Sequence, residues 1–217
     1  MKENCYFVSG IDTDSGKSYV TGWLARTWMQ HGQRVITQKL VQTGNVGFSE
    51  DIALHRRIMG CGLLAEDHSK LTMPEIYSYP CSPHLAAYID KRPLDFEKID
   101  RATAELCNRF DVVLLEGAGG LMVPLTDDCL TIDFVAQRNY PLIFVTSGKL
   151  GSINHTLLSL EAVVRRNIHL HAVCYNLYPT LPDTTIQEDT QCYLRRYIQR
   201  HFPDTYFWTT PVLDEIK

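Results

Sequence analysis

Apolar positions along the chain fall into two kinds of run that take turns: short unbroken stretches, and longer stretches whose apolar residues recur every three or four positions. Cys5 to Val8 is the first unbroken run and predicts a strand. Lys17 to Gln30 follows with Val20, Trp23, Leu24 and Trp28 on one side, a helix that Gly32 is placed to stop. Val35 to Val41 predicts a second strand, Thr43 to Gly47 a loop, and Ser49 a cap for a helix from Glu50 to Met59. Prolines at 74, 80, 83 and 93 interrupt residues 60–95 and leave room for one short helix near Leu85 to Ile89. Beyond them the alternation resumes. Phe96 to Phe110, Ile132 to Gln137 and Ile153 to Arg166 predict helices; Val112 to Leu115, Leu142 to Val145 and His171 to Tyr175 predict strands. A capping box, Thr185-Ile186-Gln187-Glu188, opens a last helix running to His201, and Tyr206 to Trp208 is a final short strand.

Strands that are apolar on both sides, each joined to the next by a helix, predict an α/β fold: a mostly parallel sheet with helices on both faces. Without linker, repeat or low-complexity tract, residues 1–217 are expected to form one domain. Ligands of such sheets bind beyond the carboxyl ends of the strands. Composition changes the picture little. An apolar fraction of 45% and a net charge of −4 are those of an ordinary globular protein, and so weak an acidic balance gives no reason to expect nucleic acid or an anionic membrane as partner. Seven scattered cysteines without Cys-x-x-Cys spacing argue against disulfides and zinc. No apolar run approaches the ~20 residues of a membrane span, and Lys2-Glu3-Asn4 leads straight into the first strand, so a cytoplasmic location is expected.

The suggestive chemistry sits where strands end. After the first strand comes Gly10-Ile11-Asp12-Thr13-Asp14-Ser15-Gly16-Lys17-Ser18. Strand, glycine-bearing turn and Gly-Lys-Ser opening a helix make a phosphate cradle: backbone N–H groups face the phosphates, Lys17 adds a positive charge and the Ser18 hydroxyl is placed for magnesium. The standard pattern puts its first glycine at position 11, and here isoleucine stands there with Gly10 one residue earlier. The second strand ends on Lys39, either a cation for the same cleft or a solvated edge lysine. Asp51, in the first turn of the next helix, is either a ligand or an acid favoured by the helix dipole. Glu116, followed by Gly117-Ala118-Gly119-Gly120, suits a magnesium ligand beside a triphosphate, the alternative being an exposed acid on a tight turn. Lys149-Leu150-Gly151-Ser152-Ile153-Asn154-His155 opens a helix whose free N–H groups fit a carboxylate, or are simply capped by Ser152. No nucleophile elbow or metalloprotease motif is present, and His169-x-His171 reads better as surface decoration.

These segments together, with Lys39-Leu40-Val41-Gln42-Thr43-Gly44 and Ser82-Pro83-His84, closely resemble the dethiobiotin synthetase family, which has a P-loop NTPase fold, from about Cys5 to Asn176. The lengthened loop is a trait of that family. The resemblance implies an ATP-dependent ligase that closes the ureido ring of dethiobiotin from 7,8-diaminononanoate and CO2, with magnesium. It implies that Lys17 and Lys39 are catalytic, that Ser18, Asp51 and Glu116 ligate the metal, and that Thr13, Asp14, Ser15, Gly16 and the stretch Gly117, Ala118, Gly119 line the ATP. It further implies that Asn176 and the segment Pro211, Val212, Leu213 contact the nucleotide, and that Thr43 contacts substrate. Ser152, Ile153 and Asn154 would bind the substrate carboxylate from a neighbouring subunit, which implies a homodimer. The chain departs from the family in having Leu40 where proline is usual, and in a poor match after Asn176. A partitioning ATPase of the deviant phosphate-loop type would carry a further lysine early in the loop, and Ile11 to Ser15 contains none. A cobyrinic-acid-type amidating enzyme would need a glutaminase domain, for which the chain is too short.

Overall fold

The computed structural model describes residues 4–178 and 184–213. In chain order the elements are β1 (Cys5–Gly10), α1 (Lys17–Gln30), β2 (Val35–Lys39), β3 (Gln42–Thr43), α2 (Glu50–Met59), α3 (Ala65–His68), β4 (Ile76–Tyr77), α4 (Pro83–Ile89) and α5 (Phe96–Arg109). They continue with β5 (Val112–Gly120), β6 (Pro124–Thr126), β7 (Cys129–Leu130), α6 (Thr131–Arg138), β8 (Leu142–Ser147), α7 (Ser152–Arg165), β9 (Leu170–Asn176), α8 (Thr184–His201) and β10 (Tyr206–Thr210). Six strands form one sheet in the order β10-β9-β8-β1-β5-β2, and every pairing in it is parallel.

The unbroken apolar runs are explained by burial on both faces. In β5, Val112 and Leu114 join Val8, Val20 and Leu24 in a core on the α1 side, while Val113 and Leu115 join Phe7, Ile36, Leu106 and Phe134 on the other. Parallel crossovers bring the carboxyl ends of all six strands to one edge, so Gly10, Lys39 and the end of β5 lie together.

The second strand is shorter than predicted. It stops at Lys39, and Gln42–Thr43 pair instead with Ile76–Tyr77 in a separate parallel ribbon. Leu40 and Val41 are fully buried although they lie beyond the end of the strand, in a core that also holds Tyr77, Ala86 and Leu94. The proline-broken stretch is correspondingly richer than expected, holding α3, β4 and an α4 that begins with Pro83 in its first turn. The β6–β7 hairpin was not predicted, and β5 runs on through Gly120 where a turn after Glu116 was the alternative.

Candidate active site

The phosphate loop leaves β1 with Ile11 donating its N–H to Val145 O at 3.0 Å. Gly16 caps α1 at φ 86°, a left-handed conformation, and a Cβ there would lie 2.0 Å from Asn176 Nδ2. No side chain caps α1 and its first turn holds no acid, so its leading N–H groups and positive dipole end remain available to an anion. Ser15 Oγ is buried without a partner, and Lys17 Nζ donates to Asp12 O at 2.7 Å, straddling the loop. An orphan hydroxyl, an uncapped helix start and a lysine across the loop fit a polyphosphate.

Beside the loop lies a cluster of hard oxygen atoms. Ser18 Oγ is 2.8 Å from Asp51 Oδ1 and 2.7 Å from Glu116 Oε1. Lys39 Nζ reaches Asp51 Oδ2 at 2.6 Å and Glu116 Oε1 at 2.7 Å, and donates to Gly117 O at 3.1 Å. Register explains the meeting: Lys39 and Glu116 are direct partners across β2 and β5. A hydroxyl with two carboxylates suits magnesium, which takes oxygen ligands and leaves several positions for water and phosphate. Among the described residues no three His, Cys, Asp or Glu side chains converge on one point, and a metal shared with a triphosphate requires no such cage.

Electrostatics separate the two lysines. Burial pulls Lys17 down to about 8, the positive charge of Lys39 adds to the effect, and Glu116, Asp51 and Asp12 oppose it. For Lys39 burial also acts against the charge, but Glu116 and Asp51 outweigh it and hold the ammonium above the usual lysine range. Burial by itself would raise Glu116; Lys39 and then His55 instead hold it well below the usual carboxylate range. The solvated edge lysine and the exposed turn acid are thereby excluded, since Lys39 is 4% and Glu116 0% exposed. Leu40 donates its N–H to Glu116 O at 2.8 Å, a bond that a proline at this position, lacking the donor, could not make.

A cavity of about 850 Å³ opens over these groups. Thr13, Asp14, Gly16, Lys17 and Ser18 line its loop side, Lys39, Thr43 and Asp51 the facing side, and Glu116, Ala118 and Gly119 its floor, with Ser82 and Pro83 at the far rim. Ser15 and Gly117 are not in that lining. Asn176 stands behind the loop: its amide donates to Ser15 O at 3.3 Å and to Tyr178 O at 2.7 Å, so it supports the cradle from below. Pro211 and Leu213 are tied to the site through Tyr19, whose hydroxyl donates to Pro211 O at 3.1 Å and accepts from Leu213 N, while its ring stacks on Tyr178 at 4.6 Å. Val212 is exposed on the same segment. Ser152, Ile153 and Asn154 begin α7 outside the lining of this cavity, and the cap is Gly151 at φ 94°, so Ser152 is not the cap; its Oγ lies 3.4 Å from Ser147 Oγ.

Two residues of the site escaped the sequence reading. His55 is fully buried, with Nε2 2.9 Å from Glu116 Oε2 and Nδ1 3.0 Å from Thr37 Oγ1. Its signal was its spacing, four residues after Asp51 on the inward face of one helix. Tyr19 was available as the residue following Gly-Lys-Ser.

Loop, lysine and oxygen cluster at the strand ends of a parallel sheet are those of a phosphate-loop nucleoside triphosphatase fold. Solved structures agree on the fold. A putative plasmid partition protein from Borrelia burgdorferi bound to AMPPNP superposes with a TM-score of 0.58 at 10% identity, over 100% of this chain and 90% of that one. The ParA of pNOB8 bound to nonspecific DNA gives 0.56 at 12%, over 99% and 88%. Such low identities speak to architecture alone. A family model described as an AAA domain matches residues 4–209. Among curated proteins, "ATP-dependent dethiobiotin synthetase BioD 2" of Pasteurella multocida is 52% identical over 93% of this chain and 94% of its own length. The "ATP-dependent dethiobiotin synthetase BioD" of Chlorobaculum tepidum is 46% identical over 99% and 87%. The chain belongs to the ATP-dependent dethiobiotin synthetase family.

Proposed function

We propose that the protein is an ATP- and magnesium-dependent ligase that closes the ureido ring of dethiobiotin from 7,8-diaminononanoate and CO2, in biotin synthesis. The observation that carries the reading is the meeting of Lys17, Lys39, Ser18, Asp51 and Glu116 around one cavity, from four separate stretches of chain. Membership of the dethiobiotin synthetase family supports the choice of substrate.

One amine of the diamine takes up CO2 and loses a proton, giving a carbamate. A carbamate oxygen attacks the γ-phosphorus of ATP and ADP leaves. The second amine then attacks the carbamoyl carbon of the resulting carbamic–phosphoric anhydride, the C–O bond breaks, phosphate departs and the ring closes. No side-chain nucleophile is needed, because the carbamate is itself the nucleophile. Charge gathers on the transferring phosphoryl group, where Lys17, Lys39 and the α1 N–H groups oppose it. Ser18, Asp51 and Glu116 would hold the magnesium, which when bound neutralises phosphate oxygens. Lys39, fully charged and fixed by two carboxylates, is placed to bridge carbamate and γ-phosphate, which removes much of the entropic cost of their encounter. Thr43 on the facing wall is suited to orient the diamine.

In this reading residues 1–217 work as one domain and Asn176 with residues 211–213 sets the adenine side. Ser152, Ile153 and Asn154, outside the lining of their own cavity, bind the substrate carboxylate of a partner in a homodimer. No helix among the described residues is long and apolar enough to cross a membrane, and the proposed location is the cytoplasm. The test is phosphate release from ATP with each component omitted in turn. Release that requires diaminononanoate, bicarbonate and magnesium together supports the reading. Release that continues without the diamine, or that DNA stimulates, refutes it.

A further inference from the structure

The mechanism above leaves one buried polar chain unexplained. Asp67 and Arg56, both at most 2% exposed, form a two-point ion pair, Nε to Oδ2 and Nη2 to Oδ1, each 2.8 Å. Arg56 Nη1 donates to Thr37 Oγ1 at 2.9 Å, and Thr37 Oγ1 lies 3.0 Å from His55 Nδ1. Arginine has only donors, so Thr37 Oγ1 accepts in that contact while also holding the imidazole through Nδ1. Ionised Glu116 can only accept, so Nε2 carries a proton and donates it to Oε2 2.9 Å away. Asp67, Arg56, Thr37, His55 and Glu116 thus form one continuous buried chain, with a donor turned toward the carboxylate at each end.

The consequence falls on Glu116. Its Oε2 is committed to His55, and its main-chain carbonyl to Leu40 N–H. Only Oε1 is turned toward Ser18 and Lys39. We propose that His55 is a positioning residue which, set by Thr37 and Arg56, fixes the carboxylate plane of Glu116 and presents a single oxygen, Oε1, to the metal–phosphate site. Partners of this kind, one bond removed from a metal, orient the ligand and typically change metal affinity by 10–100-fold when removed. The inference rests on reading Ser18, Asp51 and Glu116 as the magnesium oxygens.

Three variants test it: His55→Leu, which removes the donor; His55→Gln, whose amide nitrogen can take the place of Nε2; and His55→Asn, which stays polar but falls short of Glu116. Binding of Mn2+ in the presence of AMPPNP, followed by electron paramagnetic resonance of the free ion, reads affinity without any turnover, and thermal melting reads the fold. His55→Leu and His55→Asn are expected to weaken Mn2+ binding about tenfold, with His55→Gln within about threefold of wild type. In turnover the apparent KM for magnesium should rise in the Leu and Asn variants while kcat at saturating metal changes far less. Mn2+ affinity unchanged in His55→Asn, or equal losses in the Gln and Asn variants, would overturn the proposal; the Asn–Gln pair decides even where the Leu variant does not fold. Wild-type protein that binds Mn2+ and AMPPNP but makes no dethiobiotin would refute the ligase reading and leave this inference standing.

Discussion

Lys39 and Glu116 face each other in register on neighbouring parallel strands, with Nζ 2.7 Å from Oε1 and both side chains at most 5% exposed. A charge pair so placed cannot lose one member without stripping the other of its main compensation, leaving only Asp51 beside Lys39 or His55 beside Glu116. A strand-end lysine read from sequence alone is expected to matter to turnover and little to stability; its burial changes that. Lys39→Met is predicted to lower turnover by about 10²-fold or more and also to destabilise the protein by about 3 kcal/mol. The double variant Lys39→Met/Glu116→Gln should recover most of the stability and none of the activity. Urea denaturation beside steady-state assays checks both halves; a single variant as stable as wild type would show the pair to be energetically idle.

Lys17 gives a pH dependence. Its folded-state pKa, pulled down to about 8 mainly by burial, lies below that of an exposed lysine. The folded protein therefore binds fewer protons than the unfolded chain from about 8 up to the ordinary lysine value, and Lys17 costs stability below 8, a cost relieved as pH rises through that window. Triphosphate favours the charged form, so ATP binding should take up close to one proton near pH 8.5 and almost none near pH 6.5. Calorimetry in buffers of different ionisation enthalpy measures that uptake. Equal proton counts at the two pH values would contradict it.

Glycine is needed at position 16 for two reasons, its left-handed φ of 86° and the Asn176 amide where a Cβ would go. Gly32 has a similar φ of 85° but nothing within 4 Å. Gly32→Ala should therefore cost about 1 kcal/mol of stability and leave nucleotide affinity alone. Gly16→Ala should displace the loop from Asn176 and abolish measurable binding of AMPPNP. Comparable nucleotide affinity in both variants would mean that the contact with Asn176 does not shape the loop.

Glu116 sets the acid limit. Its folded pKa is held well below the ordinary value, chiefly by Lys39 against the opposing effect of burial. The stability it confers is present above the unfolded pKa of about 4.3 and is lost as pH falls through the folded value. Glu116→Gln should flatten the decline of melting temperature below pH 4; an unchanged decline would assign it to other carboxylates.

Much of the site was legible because its parts are local. The phosphate loop is contiguous, and the buried parallel strands announce themselves as apolar runs, most of whose ends lie within two residues of the expected place, β5 running on by five to Gly120. Relations over long stretches were not legible. That Lys39 is buried depends on a partner 77 residues away. His55 looks like any histidine on an amphipathic helix until α2 is docked against β2 and β5. Leu40 and Val41 extended the predicted strand because burial beyond the strand's end, in a core that also holds Tyr77 and Ala86, leaves the same apolar signature as burial in a sheet. The short elements between residues 60 and 95 have too few positions for a period to show, and their shape comes from packing on that pair.

The account turns on a carbamate attacking ATP within this cavity, and oxygen tracing tests it most directly. With 18O-labelled bicarbonate, ATP, the diamine and magnesium in ordinary water, quenched early, the phosphate released should carry one 18O, delivered when the carbamoyl C–O bond breaks. Phosphate without label would mean that its new oxygen came from water, and that the protein hydrolyses ATP without passing through the anhydride.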